Sequence, residues 1–248
     1  MWPYPKIIAH RGGGSLAPEN TLAAMQCGFD HGFRAVEFDV MLSKDGIPVL
    51  MHDPEFGRTI AGHGEVCVTL MKDLIEMDAG SWFDPQFSNE RVPSYEAVFL
   101  FCQEHGIWMN VEIKPAPGFD EQTGEVVAKL TRQLLQQLGD HASVPLFSSF
   151  SYTALMSAKQ HAPEIPRAYL LDKYQDDWLM RMQELEARAL HTNQKHLSPT
   201  WASQIKEASY GLFCYTVNSP ERGRELLSLG VDAFCTDRID LIPANFAD

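Results

Sequence analysis

Ile7-Ile8-Ala9-His10-Arg11-Gly12 is a short apolar run that ends on a histidine and an arginine, and two more glycines follow it. Burying a histidine or an arginine without a hydrogen-bonding partner costs free energy, so these residues are poorly suited to the interior of a core strand. A strand that ends at the rim of a core can present them to a ligand. Apolar runs end in the same way near Asp39, His52 and Lys114. The pattern predicts several strands whose polar ends meet at one rim.

Apolar and amphipathic segments alternate along the chain. The predicted strands have nearly continuous apolar interiors and lie at 6–12, 35–42, 47–52, 108–114, 144–150, 167–171, 187–193, 211–217 and 231–236. Predicted helices with a 3.6-residue period lie at 19–31, 94–105, 120–138, 152–161, 176–186, 199–209 and 220–229. Strands that are apolar throughout are typical of a parallel sheet covered on both faces. The alternation predicts an α/β fold, a closed (β/α)8 TIM barrel.

Nine strands are predicted, one more than a (β/α)8 barrel holds. The pattern at residues 39–52 explains the extra strand. No helix separates the strand at 35–42 from the strand at 47–52. Asp45-Gly46 between them is typical of a two-residue hairpin turn. We therefore predict an antiparallel hairpin that places Asp39 opposite His52.

Residues 54–92 fit the alternation poorly. They contain several glycines and one short helical stretch at 70–77. Nothing in the chain has the composition of an interdomain linker. We predict a single TIM-barrel domain at 1–248 in which 54–92 form an insertion over the strand ends, where loops commonly shape access to a site.

The formal charge of −13, from 33 acidic and 20 basic residues, disfavours nucleic acid and anionic membranes as partners. An anionic substrate must then be small and held in a local cationic pocket. We see no signal peptide and no apolar run near the ~20 residues of a membrane span. The five cysteines form no CxxC pair and are predicted to be buried free thiols. These features predict a cytoplasmic location and no stable membrane association.

Carboxylates two positions apart on a strand point to the same face, as Glu37 and Asp39 do. Glu112 and Lys114 share a face in the same way. Three carboxylates converging inside a barrel repel one another unless a cation lies between them, and oxygen ligands favour Mg²⁺, Ca²⁺ or Mn²⁺ over zinc. The alternative is that Glu37 and Glu112 form salt bridges to Lys114 and Arg11.

Two histidines, His10 and His52, end strands beside these carboxylates. An imidazole exchanges a proton near neutral pH. With a metal and the cations Arg11 and Lys114, one histidine could deprotonate an attacking hydroxyl while the other protonates a leaving oxygen. These are the groups that displacement at phosphorus requires.

The chain resembles the glycerophosphodiester phosphodiesterase family, of the cytosolic bacterial type. The shared motifs run in order over nearly the whole chain: His10-Arg11-Gly12, Pro18-Glu19-Asn20-Thr21, Glu37-Phe38-Asp39-Val40, Asp45-Gly46 leading to His52-Asp53, Glu112-Ile113-Lys114, Gly230-Val231-Asp232 and Thr236-Asp237-Arg238. The resemblance implies a barrel related to the phosphatidylinositol-specific phospholipases C. It also implies hydrolysis of glycerophosphodiesters, such as glycerophosphocholine and glycerophosphoethanolamine, to sn-glycerol 3-phosphate and an alcohol.

The resemblance also assigns roles to residues. It implies that Glu37, Asp39 and Glu112 bind one divalent metal ion, with Mg²⁺ the first choice and Ca²⁺ or Mn²⁺ as alternatives. It implies that His10 and His52 are the acid–base pair. The attacking group is either water or the glycerol 2-hydroxyl, which would give a cyclic phosphate, and both routes stay open.

Arg11 and Lys114 match the cations that contact phosphate in the family. Tyr215 stands where the family usually has a tryptophan, which implies a differently shaped aromatic platform beside the glycerol. Trp82-Phe83 either covers the leaving alcohol or packs as ordinary core.

Other interpretations stay open. The chain could act on lysophospholipids or other diesters, or it could bind a phosphodiester without turning it over. We expect a small-molecule substrate and no nucleic-acid partner, and the sequence leaves the oligomeric state open, with a homodimer as one option. Gly12–Gly14 is interpreted as a tight turn rather than a phosphate nest. His191 is the one further histidine that lies in a predicted strand.

Overall fold

The computed structural model describes residues 2–247. Its strands are β1 Ile7–Ala9, β2 Ala35–Leu42, β3 Pro48–Leu50, β4 Trp108–Ile113, β5 Leu146–Ser149, β6 Arg167–Leu171, β7 Ala189–Asn193, β8 Gly211–Tyr215 and β9 Ala233–Thr236. Its α-helices are α1 Leu22–Asp30, α2 Met71–Leu74, α3 Tyr95–Glu104, α4 Asp120–Leu138, α5 Tyr152–His161, α6 Trp178–Glu184, α7 Pro199–Glu207 and α8 Pro220–Ser228. Short 3₁₀ turns lie at Gly14–Leu16, Val66–Val68, Pro85–Phe87 and Gly139–His141.

Parallel pairing closes the sheet into a barrel. The strand order is β1-β9-β8-β7-β6-β5-β4-β2, and β1 also pairs with β2. At the seam, Ile7 lies beside Phe234 and Ala9 beside Val36. Because β3 is antiparallel to β2 and lies outside this ring, eight strands of the described chain form the barrel. The predicted (β/α)8 TIM barrel is confirmed.

The hairpin between β2 and β3 is present, but its predicted register is wrong by one residue. Val40 pairs with Leu50, and the backbone N–H of Met51 donates to the carbonyl of Asp39 at 3.2 Å. Asp39 therefore lies opposite Met51 rather than His52. His52 follows the paired residues and still reaches the strand ends.

The turn chemistry explains the shift in register. A two-residue turn of the predicted type needs positive φ at both central positions, and only Gly46 has it, at +75°. The N–H of Ser43 instead donates to the carbonyl of Ile47, across three intervening residues. The Ser43 hydroxyl donates to Asp45 and accepts from the N–H of Ile47, which stabilises this longer turn.

Serine caps and prolines position the outer helices. Ser219 accepts from the N–H of Arg222, Pro220 occupies the first turn of α8, and Gly230 beyond its end has φ of +90°. The sequence predicts these start and stop signals for α8. Ser198 and Ser151 cap α7 and α5 in the same way.

The barrel interior changes character along its axis. Towards the amino ends of the strands it holds small and aromatic side chains, among them Ala168, Ala189 and Trp108. The ring of Tyr4 stacks on Trp108 at 4.3 Å and helps to close this end. Towards the carboxyl ends the buried side chains become polar, which places the site there, as in other barrels of this type.

The segment 54–92 packs over the hairpin through a small apolar cluster of its own. The cluster is formed by Met41, Val49, Met51, Ile60, Val66, Leu74, Ala79 and Val92. Of the helical stretch predicted at 70–77, only α2 forms. The segment thereby braces the loop that carries His52.

No helix within residues 2–247 is long and apolar enough to cross a membrane. All five cysteines are free thiols, as predicted. Only Cys102, Cys214 and Cys235 are buried, whereas Cys27 and Cys67 are partly exposed.

Candidate active site

Three buried carboxylates converge at the carboxyl ends of β2 and β4. Asp39 lies beside Glu112 in the parallel register, and Glu37 lies two residues before Asp39 on the same face. One oxygen of each carboxylate lies within 4.8 Å of the others. The sequence predicted this convergence from the two-residue spacing.

Burial and mutual repulsion together set the protonation of the three acids. Burial and the charge of Asp39 raise the pKa of Glu37 to about 7, and the same two causes raise the pKa of Glu112 well above its ordinary value. Burial would also raise the pKa of Asp39, but the charges of Lys114 and Arg11 hold it well below its usual range. Buried carboxylates in this state are stabilised either by a bound proton or by a further cation.

The salt bridges inside the site do not supply enough positive charge to balance the three carboxylates. Lys114 Nζ lies 3.1 Å from Asp39 and 3.9 Å from Glu112, and Arg11 Nε lies 3.7 Å from Asp39. Arg11 also donates to Glu19 at 2.7 Å. Glu112 Oε1 has no hydrogen-bond partner among residues 2–247. An all-oxygen donor set with excess negative charge fits a hard divalent cation better than the alternative of internal salt bridges.

Asn20 fixes the orientation of Asp39. Its amide nitrogen donates to Asp39 Oδ2 at 2.9 Å, and its amide oxygen accepts from the backbone N–H of Asp39 at 3.1 Å. Asn20 adopts φ of +59°, a conformation that asparagine tolerates better than most residues. From the sequence alone, Asn20 was interpreted as mainly structural.

His10 follows β1 and donates from Nδ1 to Asp237 Oδ1 at 2.5 Å. Asp237 is held in turn by Asn218, which donates to its other oxygen at 2.8 Å. Burial would lower the pKa of His10, but the bond to Asp237 and the charge of Glu37 outweigh it and raise that pKa. Because Nδ1 is committed to Asp237, Nε2 is the atom left to exchange a proton.

His52 is arranged in the same way on the other side of the carboxylates. Its Nδ1 donates to Asp53 Oδ1 at 2.6 Å. Burial lowers the pKa of His52, and the cations Arg11 and Lys114 add to this against the charge of Asp39. The two predicted histidines therefore sit in opposite electrostatic surroundings.

The glycines after Arg11 allow segments of backbone to approach closely. A Cβ on Gly14 would lie 2.2 Å from the carbonyl oxygen of Asp237. A Cβ on Gly12 would lie 2.9 Å from the backbone of α1 at Ala24 and Met25. The run thus seats the β1 loop against α1 and against the loop that carries Asp237.

Two cavities meet at His10 and Arg11. The inner cavity, of about 210 Å³, penetrates the barrel and is lined by both histidines, the three carboxylates, Lys114 and Tyr215. The outer cleft, of about 600 Å³, runs from His10 along Glu19, Arg58, Trp82, Phe83, Asp237 and Arg238. Both are lined by His10 and Arg11, whereas His52 lines only the inner one.

Tyr215 ends β8 and forms a wall of the inner cavity. Its ring meets Phe150 edge-on at 5.8 Å. Burial raises the pKa of its hydroxyl, which therefore stays protonated. The structure places Tyr215 with the other predicted site residues.

His191 lies in β7 at the floor of the inner cavity. It is fully buried, and its ring lies 4.4 Å from that of Phe213. Neither ring nitrogen has a hydrogen-bond partner among the described residues. Burial lowers the pKa of His191 to about 3, so it is neutral at physiological pH and takes no part in proton exchange there.

Sequence reasoning quoted Asp53 and Asp237 within motifs but gave them no role. Asp53 could have been found as a carboxylate adjacent to His52. Asp237 carries no such local signal, because 227 positions separate it from His10. Arg58 was missed because it lies in the segment with the weakest pattern.

The chain is similar to known phosphodiesterases over nearly its full length. The model of the glycerophosphoryl diester phosphodiesterase family matches residues 10–241. The chain is 31% identical over 239 residues to the glycerophosphodiester phosphodiesterase of Caldanaerobacter subterraneus subsp. tengcongensis, covering 93% of each chain. It is 28% identical over 251 residues to that of Bacillus subtilis, covering 94% of this chain and 84% of the relative.

A solved structure shares both fold and sequence with the chain. The phosphodiesterase of Oleispira antarctica in complex with the product sn-glycerol-3-phosphate is 36% identical, with a TM-score of 0.89. The match covers 98% of this chain and 95% of that one.

Proposed function

The chain belongs to the glycerophosphoryl diester phosphodiesterase family, and from this premise we propose that it hydrolyses glycerophosphodiesters to sn-glycerol 3-phosphate and an alcohol. Glycerophosphocholine and glycerophosphoethanolamine are the proposed substrates. The observation that carries the proposal is the meeting of an inner and an outer cavity at His10 and Arg11, beside the carboxylate cluster. The product named in the Oleispira structure has the chemistry that the inner cavity would hold.

The two cavities suggest how a diester lies across the site. We place the glycerol phosphate in the inner cavity, against Tyr215, with Arg11 and Lys114 contacting the phosphate. The alcohol that leaves lies in the outer cleft, where His10 is the histidine within reach and Trp82 offers an aromatic wall. Fixed cations placed before the reaction favour the charge that develops on phosphate oxygens.

The positions of the histidines divide their roles. We assign His52 as the base that removes a proton from the attacking hydroxyl, because it lines only the inner cavity. We assign His10 as the acid that protonates the departing alcohol oxygen as its bond to phosphorus breaks. Asp53 and Asp237 hold the Nδ1 protons and so keep Nε2 as the reacting atom of each ring. The attacking hydroxyl is that of water or of glycerol C2.

Glu37, Asp39 and Glu112 are the residues that would hold one divalent ion, with Mg²⁺ as the first choice. When bound, such an ion offers positive charge to the phosphate oxygens. Asn20 keeps Asp39 in the orientation that the donor set requires.

We further propose that residues 1–248 form one barrel domain with 54–92 as an insertion. We also propose a cytoplasmic location, since all five cysteines are free thiols. The substrate is a small molecule, and the acidic chain is not expected to bind nucleic acid.

The direct test is release of glycerol 3-phosphate from glycerophosphocholine, followed with a coupled dehydrogenase. We expect turnover that EDTA abolishes and Mg²⁺ restores. Full activity in EDTA would contradict the metal site. Tight binding of glycerophosphocholine without product over hours would favour the non-catalytic interpretation.

A further inference from the structure

Arg58, in the loop after β3, forms ion pairs with two carboxylates at once. Its Nε donates to Asp53 Oδ2 at 2.5 Å. Its two terminal nitrogens donate to the two oxygens of Glu19 at 2.7 Å each. The planar guanidinium thus spans from the β3 loop to the loop after β1.

Each of these carboxylates also accepts a hydrogen bond from a residue of the site. Asp53 Oδ1 accepts from His52 Nδ1 at 2.6 Å. Glu19 Oε1 also accepts from Arg11 Nη1 at 2.7 Å. A continuous series of charge-assisted bonds therefore joins His52 to Arg11 through Asp53, Arg58 and Glu19.

The geometry of this series is specific to arginine. A guanidinium presents donors in a rigid fork that matches a carboxylate, while a lysine ammonium is a point charge on a flexible stem. With Arg58 in place, each carboxylate is fixed at both oxygens and cannot rotate. Without it, Glu19 would be a largely buried carboxylate facing the charge of Asp39 with Arg11 alone to balance it.

Arg58 itself is well exposed, with 44% of its side chain accessible. Asp53 is also partly accessible, and an ion pair between two such groups adds little to global stability. Its effect should therefore appear in the geometry of the site rather than in the folding of the barrel.

We propose that Arg58 is a positioning residue that sets the orientation of both His52 and Arg11, through Asp53 on one side and Glu19 on the other. The inference rests on the proposed function. The proposal predicts that loss of Arg58 has two separable effects. Misorientation of His52 should lower kcat, and displacement of Arg11 should weaken binding of the phosphate and raise KM.

The test compares Arg58→Gln and Arg58→Lys with a matched control, Arg132→Gln. Arg132 forms a forked pair with Glu164, with both bonds at 2.6 Å and a side chain 39% accessible, and neither residue lines the cavities of the site. We expect Arg58→Gln to lower kcat about 10-fold and raise KM about 10-fold, comparable to losing one charge-assisted bond on each side. Arg58→Lys should recover part of one effect but not both, and Arg132→Gln should match the wild type.

Coupling between positions separates positioning from a general loss of structure. In an Asp53→Asn background, Arg58→Gln should lower kcat no further, and in a Glu19→Gln background it should raise KM no further. Equal losses in every background, or the same losses in Arg132→Gln, would overturn the inference. So would wild-type kcat and KM in Arg58→Gln.

Binding of sn-glycerol 3-phosphate, measured by calorimetry, gives a readout that needs no turnover. Arg58→Gln should bind it about 10-fold more weakly than the wild type, and unchanged affinity contradicts the Arg11 branch. A wild-type protein that binds this product but never hydrolyses glycerophosphocholine contradicts the proposed function, while the product affinities still decide the Arg11 branch.

Discussion

His10 Nδ1 lies 2.5 Å from Asp237 Oδ1, although the two residues are separated by 227 positions of sequence. This bond fixes the tautomer and the direction of the ring. Asp237→Asn should lower kcat roughly 10²-fold, within the range of a lost acid–base function, and change KM little. Asp177→Asn is the control, since Asp177 pairs with Arg181 at 2.8 Å and neither residue lines the inner cavity or the outer cleft. Equal kcat in both variants and the wild type would remove Asp237 from the mechanism.

The roles of the two histidines can be separated by the leaving group. A glycerol phosphodiester of p-nitrophenol releases an anion that needs no proton. His10→Ala should lose about 10²-fold or more on glycerophosphocholine but far less on the nitrophenyl ester. His52→Ala should lose activity on both substrates. If the two variants lose the same factor on each substrate, the assignment of His10 as the acid is wrong.

Mg²⁺ should stabilise the folded protein, because only the folded chain gathers the three carboxylates. At about 100-fold over its Kd, the ion adds about 2.7 kcal/mol to the free energy of unfolding. Glu112→Gln should abolish this response and raise the Tm of the metal-free protein, because a carboxyl whose pKa is raised on folding costs stability at neutral pH and the neutral amide does not. Calorimetry with and without Mg²⁺ measures both, and Glu104→Gln, at an exposed position of α3, is the control. A wild-type Tm that Mg²⁺ does not change contradicts the site.

His191 should make the wild type sensitive to mild acid. Its pKa is about 3 in the folded state and near 6.5 when unfolded, so unfolding takes up a proton between these values. Stability from this residue is therefore intact above about pH 7 and declines as pH falls, by about 2 kcal/mol at pH 5. His191→Leu should remove that decline and gain about 1 kcal/mol at neutral pH, because no described residue bonds the ring. Urea unfolding at both pH values checks this, and parallel pH dependences would refute it.

Gly14→Ala should damage both stability and activity. Gly14 has φ of +56°, and an added Cβ would lie 2.2 Å from the carbonyl oxygen of Asp237. Gly32→Ala isolates the conformational penalty, since Gly32 has φ of +85° and open space around it. We expect Gly32→Ala to cost about 1 kcal/mol with normal kcat, and Gly14→Ala to cost more and to lower kcat. Denaturant titration and kinetics on both variants provide the comparison.

The sequence predicted the barrel and the convergence of the three carboxylates because both depend on short periodicities. The two-residue spacing of Glu37 and Asp39 places both side chains on the same face of β2. The parallel register between β2 and β4 then brings Glu112 beside Asp39. The helix at 120–138 was predicted at both ends, since a long amphipathic period stops at Gly139.

The parts that sequence reasoning missed depend on contacts that no local pattern carries. The hairpin register shifted because the hydroxyl of Ser43 stabilises a three-residue turn, which Asp45-Gly46 alone does not reveal. Arg58 lacks any periodic signal, and its partner Glu19 lies 39 positions away.

The pairing of β1 with β9 makes completion of the site depend on the last strand of the barrel. His10 is synthesised early, but its Nδ1 has no carboxylate partner until the strand before Asp237 has been made and has docked beside β1. The chain is therefore inactive until that strand has docked, however much of the sheet has formed before. Recovery of turnover during refolding would therefore report the closing of the ring, whereas circular dichroism would report the earlier formation of strands and helices.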